Sequence, residues 1–174
     1  MSDPLSAIIL GGVIILLIIA SAFFSSAETA LTAASEPRIR QLAKTGNKQA
    51  IRVEQLRHDR EKLISTILIG NNAVNVLASA IATSAAIALT GDSGVVLATL
   101  FMTVVLVLCA EVLPKSYAFN HADKFSLKIA LTVQILVFLL TPLSWAVRSI
   151  VVFMLGTPDS DADKREEELR GLID

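Results

Sequence analysis

Between Asp3 and Glu28 the chain carries no charged residue, and this run constrains the fold more than any other feature. A helix needs about 20 apolar residues to cross a bilayer core. Two further segments meet that requirement, so spans are expected at about residues 5–32, 63–89 and 95–113. Backbone amides in lipid must bond within the segment, which selects helices over open sheets. The expected fold class is therefore an all-α integral membrane protein with three transmembrane helices. Composition agrees: 18% of residues are charged and the mean hydropathy is +0.65, against about 25% charged in soluble domains. The N-terminus lacks a basic flank and its apolar run is too long for a signal peptide, so it reads as a retained span.

Several function classes lose support at once. The net charge is −1, and nothing in the balance points to nucleic acid. Cys109 is the single cysteine, so one chain can form neither a disulfide nor a thiolate metal site, and a buried structural thiol is expected. No nucleophile–base pair, phosphate loop or histidine cluster is present, and an enzyme is not expected.

Charge also sets the orientation. Arg38, Arg40, Lys44, Lys48, Arg52, Arg57, Arg60 and Lys62 supply eight of the fifteen basic residues, all between the first and second spans. By the positive-inside rule that loop is cytoplasmic and the N-terminus lies outside. Glu36 to Lys62 reads as one or two short helices, with Pro37 in a first turn and Gly46-Asn47 as a break. Gly91, Asp92 and Gly94 mark a tight turn between the second and third spans. A fourth apolar segment, about residues 125–155, is interrupted by Gln134, Pro142, Ser144 and Arg148. It is expected as a bent helix pair along the cytoplasmic interface, anchored by Lys124, Lys128, Trp145 and Arg148. A fourth crossing is the alternative.

Polar residues recur inside the spans. Ser21, Ser25, Glu28 and Thr32 share a helix face by their i, i+4, i+7, i+11 spacing, with Ser26 adjacent. Asn71, Asn75 and Ser79 form a second stripe, with Asn72 beside it. Glu111 follows the uncharged run Gly94 to Ala110. A carboxylate at membrane depth costs about 2.5–3.5 kcal/mol on insertion scales, so it is usually paired, protonated or bound to a cation. Helix rise places the three groups in the cytoplasmic half of the membrane, and their oxygens suit a hard cation such as Mg²⁺ or Na⁺. Two plainer readings stand beside this one: the serines and asparagines as packing glue between helices, and Glu111 as a headgroup-zone residue. Ser25-Ser26 is also a candidate for local loosening of the first helix, which would free carbonyls as ligands.

Three stretches carry a family resemblance: FFSSAETALTA (Phe23 to Ala33), TILIGNNAVNV (Thr66 to Val76) and AEVLPKSYA (Ala110 to Ala118). They resemble the signature stretches of the DUF21 transmembrane domain of the CNNM/CorC (CorB/CorC) Mg²⁺ transporters, over nearly the whole chain. The resemblance implies a homodimer with an interfacial belt helix and no fourth crossing. It also implies a cytoplasm-facing Mg²⁺ site and Mg²⁺ efflux with Na⁺ as counter-ion in a prokaryotic plasma membrane. Carried over by motif, the primary ligands fall on Ser25, Asn71 and Glu111. Glu28, Asn75, Ser21, Ser26, Asn72 and the Ala110 backbone are secondary candidates, with Glu28 and Asn75 expected to shape an adjacent site. A membrane-embedded Mg²⁺ sensor or scaffold is the alternative function. Residues 1–156 are expected to form the transmembrane domain. Residues 157–174 form an acidic cytoplasmic linker toward a CBS pair that this sequence does not contain, so ATP binding is not expected of this chain.

Overall fold

The computed structural model describes residues 4–155 apart from Asp92. The chain divides into two compact units, Met1–Leu140 and Thr141–Asp174, and the polar residues of the spans all belong to the first. The acidic linker lies outside the described residues. Every described element is a helix: α1 (Pro4–Ala33), α2 (Glu36–Lys44), α3 (Lys48–His58), α4 (Arg60–Thr90), α5 (Ser93–Val105), a π-helical segment (Leu106–Val112), α6 (Leu113–Asn120) and α7 (Ala122–Leu155). Four helical stretches are long and apolar enough to cross a membrane: Ala7–Ala33, Arg60–Thr90, Ser93–Asn120 and Ala122–Leu143.

The breaks follow from local chemistry. Pro37 sits in the first turn of α2, where its missing N–H costs nothing. Asn47 caps α3, its Oδ1 accepting from the amides of Gln49 and Ala50 at 3.0 and 3.1 Å. Gly91 ends α4 with φ of 70°, a conformation open to glycine because it has no Cβ. The α5–π–α6 stretch runs on without a break.

The core sits at one end of the bundle, called here the basic end because α2 and α3 lie there. Ala27, Ala30, Leu31, Ile39, Ala50, Val53, Leu63 and Ile67 pack with Ala118, Ile129, Ala130 and Val133. Small residues in α1 let the neighbouring helices approach closely. Toward the other end the helices turn Leu5, Ile8, Leu89, Leu97 and Leu100 outward, as lipid-facing surfaces do.

Residues 122–140 of α7 do not run alongside the spans. Asp123 accepts the Ser35 amide at 2.8 Å and pairs with Arg38 at 3.1 Å, at the basic end of α1. Further along, Gln134, Val137 and Phe138 line a cleft with Gln55, Leu56, Asp59, Lys62 and Leu63, at the basic end of α4. Residues 123 and 138 are about 22 Å apart along a helix, yet both touch the same end of the bundle. This part of α7 therefore lies across the basic end of the bundle, although its length and composition would also suit a crossing. The expected helix pair is in fact one helix, with Pro142 inside it. Trp145 is exposed, while the Arg148 side chain lies outside what the structure describes.

Candidate cation site

Two contacts fix the register of α1 against α4. Ser21 Oγ donates to Asn71 Oδ1 at 2.8 Å. The Phe24 ring lies on Gly70 so closely that a Cβ there would meet Cε1 and Cζ at 2.7 Å. Residue numbers rise along α1 as they fall along α4, so the helices are antiparallel. The third helix returns through the tight turn at Gly91 and packs along α4, so it runs parallel to α1, and Lys115 Nζ reaches Glu28 Oε2 at 3.8 Å. Glu111 lies four residues before Lys115, and Ser25 lies three before Glu28. This register sets Glu111 and Ser25 at one level, where α1 packs on the π segment and α6.

Around that level the donors are all oxygens, in differing states. Ser25 is 1% exposed, and its Oγ has no hydrogen-bond partner. Burying a hydroxyl unpaired costs about 1–3 kcal/mol, which makes Ser25 a candidate to meet a group from outside the chain. Asn71 is half-buried with its Oδ1 already held by Ser21. Ser26 is buried, but its hydroxyl is spent on the carbonyls of Ala22 and Phe23, at 2.6 and 3.1 Å. Thr29 bonds the Ser25 carbonyl in the same way at 3.1 Å. Helix α1 is thus continuous and its carbonyls are occupied; the expected loosening at Ser25-Ser26 does not occur.

The irregular backbone is in the third helix instead. The Leu113 amide bonds the Leu108 carbonyl five residues back, closing the π segment that holds Cys109, Ala110 and Glu111. Pro114 has no N–H and can close neither an α-type bond to Ala110 nor a π-type bond to Cys109. Widened turns of this kind are frequent at functional sites. Ala110 is fully buried and Glu111 half-buried. Cys109 is exposed rather than buried, because the wider turn carries it to the outer side.

The register also separates residues that sequence had grouped. Asn75 Oδ1 is buried without a partner, but Asn75 lies one turn beyond Asn71 while Ser25 lies one turn beyond Ser21 in the opposite sense. The two are about 12 Å apart along the bundle. Two ligands of one Mg²⁺ sit within about 4 Å of each other, given bonds near 2.0–2.1 Å; side chains leaning together can close the one turn between Ser25 and Asn71, but not the two turns between Ser25 and Asn75. Ser25 and Asn75 therefore do not fit one ion. Glu28 and Asn75, expected at one adjacent site, are about 16 Å apart by the same rise and cannot share an ion. Asn72 is exposed and faces away from the seam. Among the described residues no three His, Cys, Asp or Glu side chains cluster, so any cation here meets few carboxylates and mostly neutral oxygens.

The model of the cyclin M transmembrane N-terminal domain, CNNM, matches residues 12–174. The chain belongs to the CNNM family. Among curated relatives, this CNNM chain is 38% identical over 157 residues to the UPF0053 inner membrane protein YfjD of Escherichia coli, covering 87% of the chain and 37% of that protein. It is 35% identical over 177 residues to a UPF0053 protein of Haemophilus influenzae, covering 99% and 42%. A chloroplastic DUF21 domain-containing protein of Arabidopsis thaliana is 36% identical over 155 residues, covering 87% and 24%. The chain thus spans about two fifths of the bacterial relatives' length. Membership and the apolar helices together make it a multi-pass membrane protein, and the family fits divalent cation transport or a related role.

Proposed function

We propose that this CNNM domain carries Mg²⁺ across a prokaryotic plasma membrane, as efflux coupled to Na⁺, from a site open to the basic end. The observation that carries this reading is the Ser25 hydroxyl, buried and unpartnered at the level of the Glu111 π turn. Glu111 supplies the negative charge, Ser25 and Asn71 supply neutral oxygens, and the Ala110 carbonyl is an added ligand. Ser21 holds the Asn71 amide in place, and Asn75 offers a second position further along the seam toward the Gly91 turn. A hard, oxygen-loving cation is the cargo this set of donors suits.

The positive-inside rule places the basic end in the cytoplasm and the N-terminus outside. Residues 122–140 of α7 then lie along the cytoplasmic interface, and the chain crosses three times. The working unit is a homodimer. The exposed Asn72 supports this, since an amide on an outward face of a membrane helix is best satisfied by a second protein surface.

Purified protein in liposomes loaded with a Mg²⁺-sensitive dye tests the proposal. The wild type is expected to move Mg²⁺, and Glu111→Gln to abolish flux while its helical circular dichroism is unchanged. Mg²⁺ binding without any flux would replace transport by a sensor role. Equal flux from the variant would remove Glu111 from the site.

A further inference from the structure

Lys115 is the only basic residue between Ser93 and Asn120, and α1 carries none. Its ammonium lies 3.8 Å from Glu28 Oε2. Both residues stand about one turn toward the basic end from the Ser25–Glu111 level. Both side chains are partly open, 48% exposed for Lys115 and 39% for Glu28. A mobile cation is therefore tethered where the proposed site meets the basic end, bridging α1 to α6.

We propose that Lys115 is an affinity-setting residue: a built-in competing cation that holds Glu28 until a metal ion displaces it. This rests on the transport reading above. The physical reason is charge. A partly exposed lysine–carboxylate pair at this distance is weak and easily exchanged. A divalent ion offers each carboxylate twice the charge of an ammonium and repels Lys115 twice as strongly as Na⁺ does. Mg²⁺ can thus take the mouth from Lys115, whereas Na⁺ only matches it. The four-carbon stem lets the displaced ammonium swing away along the bundle surface without moving the backbone. Lys115 thus lowers affinity for every cation that must displace it from Glu28.

The test compares Lys115→Gln and Lys115→Arg with the wild type in detergent, following thermal stabilisation by MgCl₂ and its competition by NaCl at constant ionic strength. Lys115→Gln is expected to bind Mg²⁺ about twofold to fivefold more tightly, the range that a partly exposed ion pair spans. Na⁺ should compete at correspondingly lower concentration, while Lys115→Arg stays near the wild type. In a Glu28→Gln background the Lys115→Gln effect should vanish. A clamp with no role beyond joining α1 to α6 would lower the ion-free melting temperature and leave Na⁺ competition untouched. That result, or an unchanged Mg²⁺ response in Lys115→Gln, overturns the proposal while leaving the transport reading intact. A wild type that shows no Mg²⁺ response overturns both.

Discussion

Ser21 gives its hydroxyl hydrogen to Asn71 Oδ1 across the α1–α4 seam at 2.8 Å. The bond aims the amide and fixes the register from which the other polar positions follow. Ser21→Ala should lower stability by about 0.6 kcal/mol, the average for hydrogen bonds between membrane helices, and by no more than about 1.7 kcal/mol. It should also weaken Mg²⁺-dependent stabilisation, because the amide is freed to turn. A thermal melt with and without Mg²⁺ reads both effects. Loss of stability with an unchanged Mg²⁺ response would make the bond packing glue alone.

Ser25 and Asn75 each bury an oxygen with no partner, and they separate a ligand from a structural residue in an unusual way. Removing an unsatisfied hydroxyl forfeits no hydrogen bond, so Ser25→Ala should keep or raise ion-free stability, by up to about 1 kcal/mol. The same change should weaken Mg²⁺ binding about tenfold or more. Asn75→Ala should affect Mg²⁺ affinity far less. With about 12 Å between the positions, the two changes should add within about 0.5 kcal/mol. Isothermal titration of the two single variants and the double variant decides this, and strong coupling would place both on one ion.

Gly70 admits the Phe24 ring where a methyl group would sit 2.7 Å from two ring carbons. Gly70→Ala should therefore cost about 1–3 kcal/mol, the usual scale of overpacking. Phe24→Leu should recover part of that loss by clearing the contact. A double-mutant cycle on melting temperature measures the coupling, and simple additivity would show that the helices shift apart freely.

Asp123 ties the start of α7 to the basic end of α1 through the Ser35 amide and Arg38. Asp123→Ala should cost about 1 kcal/mol, as one charge-assisted bond and one partly exposed pair are lost. Hydrogen exchange should rise in the first turns of α7, while Mg²⁺ affinity holds. Unchanged exchange there would mean that the packing of Ile129, Ala130 and Val133 holds the helix without the latch.

The sequence by itself determined that the chain is helical and membrane-embedded, because lipid leaves uncharged runs of this length few other ways to satisfy their amides. It determined the break at Gly46-Asn47 and the turn at Gly91, where local side-chain and backbone chemistry is decisive. It also showed which α1 residues share a face, because helical spacing alone gives that. Tertiary structure decided the rest. Asn71 and Asn72 are neighbours in sequence, yet one is bonded in the seam and the other faces out, a choice made by how α4 rotates against α1. The π segment around Glu111 leaves no periodic trace, since one widened turn shifts the register without changing composition; Pro114 was its only local hint. Cys109 faces outward for that reason. Asn75 and Glu28 part company because antiparallel packing carries equal steps along α1 and α4 in opposite directions. Lys115 meets Glu28 only because α6 lies parallel to α1. Spacing within one helix is written in the chain, but the level at which two helices meet is set by packing between them.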